Sequence, residues 1–165
     1  MAERPPKFDP LGVLATLDRH RVGYILIGGF GRVVRGTEEI TRGLDIVPST
    51  KPDNLEKLEE ALGELGATTE DGNEVTRADL DQAVVELITD RGELKIVAEP
   101  IGTSGYEDLR RAATREPLGR GLRPPVASTD DLGRMLAAWD REEDRGKLRQ
   151  LRELADLERG LGLEL

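Results

Sequence analysis

Short apolar runs alternate with segments of helical periodicity in the first half of the chain. Tyr24-Ile25-Leu26-Ile27 has the length and continuity of a buried strand and leads directly into Gly28-Gly29. Leu44-Asp45-Ile46-Val47 has the same character with a single acidic position, and Pro48 ends it. Apolar residues at helical spacing predict amphipathic helices around these strands. They are Leu11, Leu14, Leu17, Leu55, Leu58, Leu62 and Leu65.

The second half of the chain begins with a hairpin pattern and ends with helices. Residues 84–89 and 94–97 predict two strands, joined by a four-residue loop at 90–93 that contains glycine. Val126-Ala127 predicts a short edge strand, and Ser128 caps a following helix. Strands that alternate with helices indicate an α/β (α+β) fold, a small mixed sheet flanked by helices with a helical C-terminal part.

The length of 165 residues fits one domain. Residues 1–8 are polar and proline-bearing, which predicts a flexible tail. Residues 9–127 form the predicted core, and residues 128–165 form the predicted helical C-terminal part of the same domain. Leucines recur through residues 140–160, so this segment is either a surface helix or an interface helix.

Charge and composition exclude several classes of protein. The net charge of −9 disfavours a protein that coats nucleic acid, although it permits a local basic pocket. The absence of cysteine excludes disulfides and thiolate metal sites. No apolar stretch approaches the roughly 20 residues of a membrane span. With no recognisable signal peptide, the expectations are no membrane partner and a cytoplasmic location.

Three features of the sequence bear on chemistry. Gly28-Gly29 follows a strand, where a backbone without side chains can approach a phosphate closely. Asp45 is an acid enclosed by apolar neighbours, and Lys95 is the polar residue in the corresponding place on the hairpin strand. A lone acid within a buried strand needs a partner or a function. Nearby arginines, including Arg32 and Arg42, are candidates for phosphate contacts.

The order of these features resembles the nucleotidyltransferase family that includes the AbiEii-type toxins of type IV toxin–antitoxin systems. The resemblance begins at residues 24–29, 40–46 and 53–58, continues at residues 92–97 and 102–109, and covers most of the chain in order. The family has a Gly-Gly or Gly-Ser pair followed by an Asp-x-Asp strand. The resemblance implies Mg²⁺ and an NTP as cofactors, and transfer of a nucleotide to RNA or protein.

By this resemblance, the nucleotide is bound at Gly28, Gly29, Thr41 and Arg42, and metal is bound at Asp45. Asp144 is the candidate for a further acidic position.

The chain departs from the family pattern at three positions. Gly43 replaces the first Asp of Asp-x-Asp, Lys95 stands where the third acid is expected, and Leu136 occupies the place of a frequent lysine. Two Mg²⁺ ions need several anionic oxygens as ligands. The Lys95 ammonium places a positive charge where one of those anionic groups is expected. We therefore predict a degenerate site, a pseudoenzyme with weak or absent metal binding at Asp45, in which Lys95 pairs with Asp45.

Two other interpretations stay open at this stage. An active enzyme would recruit another acid, and the candidates are Glu39, Glu86 and Asp90. A pure interaction module would use residues 128–160, for instance in a homodimer. The expected partners are a nucleotide, RNA such as tRNA, or a cognate protein. The sequence also leaves open whether Gly43 and Lys95 are natural or engineered.

Overall fold

A computed structural model describes residues 7–164 of the chain, and side chains as far as residue 160. Most of the predicted flexible tail lies outside the described residues; at its end, the Phe8 ring packs edge-on against Phe30, with ring centroids 6.1 Å apart. The helices are α1 (Pro10–Arg19), α2 (Gly28–Arg35), α3 (Pro52–Glu64), α4 (Arg77–Leu80), α5 (Tyr106–Leu109), α6 (Thr129–Trp139) and α7 (Arg145–Glu164), with a 3₁₀ turn at Glu142–Asp144 before α7. The strands are β1 (Tyr24–Ile27), β2 (Gly43–Pro48), β3 (Thr68–Thr69), β4 (Val84–Thr89), β5 (Gly92–Val97), β6 (Thr114–Arg115) and β7 (Pro125–Val126).

The described strands form one mixed sheet in the order β3-β4-β5-β2-β1-β7-β6. The β2–β5 and β1–β7 pairs are parallel, whereas β1–β2 and β4–β5 are antiparallel. Two details differ from the sequence prediction. The hairpin turn is two residues, Asp90-Arg91, because Thr89 already pairs with Gly92. The predicted edge strand at Val126 is an inner strand, since β6 pairs along its outer side.

One face of the sheet, which we call the core face, is sealed by helices. Alternate residues of the central strands point to it, and α1 and α3 cover them with apolar side chains, as the leucine spacing predicted. Leu44, Ile46 and Leu94 are 0–1% exposed there. Burial of such side chains contributes roughly 1.5–3 kcal/mol each, so this layer supplies most of the stability of the fold.

The opposite face, which we call the site face, is covered over only part of its width. On the β1 side, Ile25, Ile27 and Val47 pack with the apolar faces of α6 and α7. On the β2, β5 and β4 side, the alternate positions are polar or exposed. They are Gly43, Asp45, Val84, Glu86, Ile88, Glu93 and Lys95. Uncovered strand positions of this kind leave room for a ligand.

The leucines of α7 belong mainly to the internal packing of the domain. Leu151 is 1% exposed, and Leu148 packs against the cluster on the site face. Leu157, at 63% exposure, is the large apolar side chain of α7 that faces solvent in the described part of the helix. No helix among the described residues is long and apolar enough to cross a membrane.

Candidate active site

The Gly28-Gly29 pair lies where β1 passes into α2 without an intervening loop. Ile27 pairs with Asp45 on the neighbouring strand, which brings the Asp45 carboxylate against Gly28. Gly28 has φ +69°, and a Cβ there would overlap the Asp45 carboxylate. Glycine is therefore required for both backbone geometry and space. The first N–H groups of α2 have no partners within the helix, so this turn can donate to an anion.

Asp45, Lys95 and Glu86 form a row across three adjacent strands. Strand register places Lys95 opposite Asp45 on one side and opposite Glu86 on the other. The Lys95 Nζ lies 3.6 Å from the Glu86 Oε1. Among the described residues no ion pair joins Lys95 to Asp45, so the predicted pairing is wrong: the ammonium makes its contact with the more exposed carboxylate. Asp45 and Lys95 nevertheless lie side by side, as predicted from their positions.

The surroundings of the Asp45 carboxyl group shift its pKa in opposing directions. Burial raises the pKa of Asp45, the positive charges of Lys95 and Arg32 partly oppose that rise, and Glu86 adds to it. No hydrogen bond to the Asp45 carboxylate is formed by any described residue. A buried carboxylate without donors favours either a proton or a ligand that donates to it.

Gly43 is held close to the neighbouring strand. A Cβ at Gly43 would lie 2.6 Å from the Glu93 carbonyl oxygen and 2.8 Å from the Glu93 Cβ. The space that an Asp would need at this position is filled by β5 itself. The close spacing of β2 and β5 therefore excludes an acidic side chain at position 43. A single substitution cannot restore the acid unless the backbone moves.

A polar cavity of about 340 Å³, the polar chamber, lies on one side of the Asp45–Lys95 pair. Gly29, Thr41 and Arg42, three of the four residues predicted to bind a nucleotide, line it. A Cβ at Gly29 would meet the Thr41 methyl group at 2.8 Å, so Thr41 lies directly against the glycine turn. The remaining polar lining side chains, Glu70, Glu86 and Glu93, are acidic.

A second cavity of about 360 Å³, the apolar chamber, lies on the other side of the same pair. Asp45 and Lys95 line both chambers and therefore form a ridge between them. Gly28 lies at its rim together with Arg32. Its apolar wall combines the loop after β5 with the exposed end of α6. This wall includes Val97, Pro100, Ile101, Met135, Leu136 and Trp139.

Asp144 does not reach the ridge. Its side chain is buried, accepts a hydrogen bond from Arg141 Nε at 2.6 Å and lies 3.6 Å from Lys147 Nζ. It lines neither chamber. The structure thus separates Asp144 from Asp45, and its direct contacts are with Arg141 and Lys147.

Of the three acids available to an active enzyme, Glu86 alone lines a chamber. Glu39 is enclosed by Arg32, with Nε and Nη2 donating at 2.8 and 2.9 Å, and by Thr37. Burial opposes ionisation of Glu39, but the donors from Arg32 and Thr37 lower its pKa overall. Asp90 lies at the hairpin turn against Gly66. Sequence position alone did not separate these three acids, because strand register decides which faces the site.

The donor set does not fit the pair of magnesium ions that nucleotidyltransferase chemistry uses. Within the described residues no group of three Asp, Glu, His or Cys side chains is placed to hold a metal ion. Asp45 is the carboxylate at the glycine turn, and an ammonium separates it from Glu86. Hard divalent cations need several oxygens converging at about 2.0–2.6 Å, which this row does not supply.

Solved structures with the same fold come from nucleotidyltransferases. LnuA, a lincosamide antibiotic adenylyltransferase solved with lincomycin bound, is similar over 90% of this chain and 99% of its own, with 19% identity and a TM-score of 0.62. A candidate nucleotidyltransferase from Thermotoga maritima matches over 92% of this chain and 89% of its own, with 15% identity and a TM-score of 0.53. The antibiotic-resistance factor ANT(2'')-Ia matches over 92% and 91%, with 15% identity and a TM-score of 0.54.

The predicted fold class is therefore confirmed: the chain has the nucleotidyltransferase fold. No family model and no curated protein sequence matches it. At these identities the likeness extends to the fold, and the function has to be argued from the site itself.

Proposed function

We propose that this chain binds a nucleotide through its phosphates at the glycine turn without a metal pair, and catalyses little or no nucleotidyl transfer. The observation that carries the proposal is the Asp45–Lys95–Glu86 row, in which an ammonium stands between two carboxylates. A cation at this place attracts phosphate directly, as Mg²⁺ would otherwise do. The glycine turn adds backbone donors, and Arg42 adds a second cation at the polar chamber.

The close approach of β2 and β5 at Gly43 supports a long-established loss of the metal site. A site that had lost one acid by a single recent substitution would retain room for it, whereas the Glu93 carbonyl occupies that room. The family resemblance extends the proposal to an AbiEii-type toxin-like protein with a degenerate site. In that case it acts by binding a nucleotide, an RNA such as tRNA, or a cognate protein partner.

An active transferase is the second candidate, and Glu86 is the observation that favours it. Glu86 lines the polar chamber and lies one strand beyond Lys95. Movement of the Lys95 ammonium away from Glu86 would free that carboxylate to join Asp45. Of the acids that the sequence offered, it is the one placed to do so.

Calorimetric titration with each of the four NTPs, in EDTA and then in Mg²⁺, tests the proposal. We expect binding in EDTA that Mg²⁺ does not strengthen, and weakening by Lys95→Gln of about tenfold, which corresponds to 1.4 kcal/mol. Lys51→Gln is the matched control, because Lys51 is an exposed lysine outside both chambers. A strict requirement for Mg²⁺ would contradict the proposal.

A labelled-NTP transfer assay on total RNA and on the protein itself separates the two candidates. The proposal predicts no label transfer by the wild-type chain with Mg²⁺ or Mn²⁺. Label transfer that Glu86→Gln abolishes would establish the active alternative. Restoration of the acids is best attempted at Lys95 alone, since a side chain at Gly43 would meet the backbone of Glu93.

A further inference from the structure

We propose that the apolar chamber binds the base of the nucleotide, with Trp139 as the aromatic surface against which the base lies. This inference rests on the proposed function and adds a place for the part of the ligand that is not phosphate. The chamber has a volume of about 360 Å³, within the roughly 300–1,000 Å³ range of small-molecule sites.

Two large apolar side chains of this chamber are more exposed than a folded core leaves such residues. Trp139 is 47% exposed and Ile101 is 44% exposed, and both line the same cavity. Met135 and Pro100 also line it. A flat ring with a π-face gains both area and stacking from such a surface, whichever base it is.

Trp139 packs against Arg141, which is partly exposed and pairs with the buried carboxylate of Asp144. The Arg141 guanidinium lies 3.8 Å from the centre of the indole ring. Arg141 is in turn held by Asp144, whose side chain is 3% exposed, through the 2.6 Å hydrogen bond to its Nε. A surface held in this way loses little conformational freedom on binding. Asp144, predicted from sequence as a further acidic position of the site, is thereby assigned as a positioning residue that acts through Arg141.

The occupant is identified by what the chamber shares with the phosphate site. Asp45 and Lys95 form its boundary with the polar chamber, and Gly28 lies at its rim. A ligand that spans this boundary has an anionic part at the ridge and a ring beyond it. Glu99, also in the lining, supplies an acceptor for an amino group on the ring. A nucleoside phosphate has these parts joined in one molecule.

Trp139 is the sole tryptophan of the chain, so its fluorescence reports on this chamber alone. The titrants are the NTPs, tripolyphosphate as a phosphate without a base, and the corresponding nucleosides, with binding followed in parallel by calorimetry. We expect an NTP to change Trp139 emission and tripolyphosphate to bind without changing it. Equal affinity for NTP and tripolyphosphate, with no change in emission, would overturn the inference while leaving phosphate binding intact.

Variants followed by calorimetry give the second test. Trp139→Leu is expected to weaken NTP binding about fivefold to tenfold and to leave tripolyphosphate binding unchanged. Asp144→Asn is expected to weaken NTP binding by a smaller factor with the same selectivity, which a general loss of structure would not produce. Leu157→Ala is the control, because Leu157 is an exposed apolar residue outside the chamber lining.

Two further outcomes separate the two levels of the proposal. If neither NTP nor tripolyphosphate binds, the proposed function fails and this inference fails with it. If an uncharged ring compound binds in the chamber as tightly as an NTP, and Lys95→Gln leaves its affinity unchanged, the chamber serves a different organic ligand and the assignment of the base is wrong.

Discussion

The two faces of the central sheet have opposite chemistry, although they are built from alternate residues of the same strands. On β2, Leu44 and Ile46 are fully buried under α1 and α3, whereas Gly43 and Asp45 face the partly open side. On β5, Leu94 lies in the core and Lys95 lies at the ridge. Neighbouring residues of one strand thus serve different purposes, one in the stabilising core and the next in the candidate binding site. Substitutions on the two faces should therefore have separable effects.

The largest expected effect is on the core face. Ile46→Ala removes a side chain that is 0% exposed, which should lower the free energy of unfolding by about 2–5 kcal/mol. Urea denaturation measures this change. Ile88→Ala on the site face, where the side chain is 47% exposed, should change it by less than about 1 kcal/mol. Equal losses from the two variants would remove the distinction between the faces.

Gly28 in the glycine turn is expected to contribute both to stability and to phosphate binding. Gly28→Ala should cost about 1–3 kcal/mol of stability, because Gly28 has φ +69° and a Cβ would overlap the Asp45 carboxylate. The same variant should weaken triphosphate binding, measured by calorimetry. Gly63→Ala on α3 is the matched control, because the new Cβ would lie in open space, and should stabilise by about 0.5–1 kcal/mol. A Gly28→Ala protein as stable as wild type would refute the described turn.

Substitutions of Gly43 test whether the space for an acidic side chain at this position has been lost. A Cβ at this position would lie 2.6 Å from the Glu93 carbonyl oxygen, so Gly43→Ala should cost about 1–3 kcal/mol through overpacking of β2 against β5. Thermal unfolding measures it. Gly43→Asp should be no more stable than Gly43→Ala. If Gly43→Asp keeps wild-type stability, the space for the family acid has been retained and our structural argument for degeneracy fails.

The smallest expected effect is the pH dependence contributed by Asp45. Burial raises its folded-state pKa above the ordinary value of 3.8, so the folded protein binds more protons than the unfolded chain between the two pKa values. Stability due to this group is present at low pH and is lost as pH rises through the raised pKa. Asp45→Asn should remove that decline in a series of urea denaturations.

Asp9 supplies the opposite case for the same measurement. The backbone N–H of Gly12 donates to its carboxylate and lowers the pKa of Asp9, although burial partly opposes the shift. Stability due to Asp9 is therefore present above its ordinary pKa and is lost as pH falls through the lowered one. Asp9→Asn should destabilise at neutral pH, where Asp45→Asn should stabilise. The same sign for both variants would contradict the assigned environments.

The central strands were predictable from sequence because apolar residues dominate them, and the glycine turn was predictable because it follows one of them. The two-residue strands β3 and β6 carry no such apolar pattern and were not predicted. The hairpin loop was predicted too long, since Gly92 pairs with Thr89 and sequence pattern does not give the register. The prediction of a Lys95–Asp45 ion pair was wrong for a related reason. Lys95 has a carboxylate on each side, and its contact with Glu86 depends on side-chain conformation, which sequence does not give.

The apolar chamber was beyond sequence reasoning. It brings the end of α6 against the loop after β5 and against Gly28, a residue more than a hundred positions earlier in the chain. The sequence shows Trp139 as the sole tryptophan but does not show what it contacts. Its exposure, and the hold of Asp144 on it through Arg141, depend on how the C-terminal part packs on the site face.

The affinity of Asp45→Asn for an NTP in EDTA tests the central claim most directly. Without a metal pair, the Asp45 carboxylate repels the phosphates bound at the glycine turn. Two unit charges about 4 Å apart interact by roughly 4 kcal/mol at an effective dielectric of 20, of which solvent screens a part. We predict that Asp45→Asn binds NTP about tenfold more tightly than the wild-type chain. Loss of NTP binding in Asp45→Asn, together with dependence of wild-type binding on Mg²⁺, would show that Asp45 is a metal ligand and contradict the account.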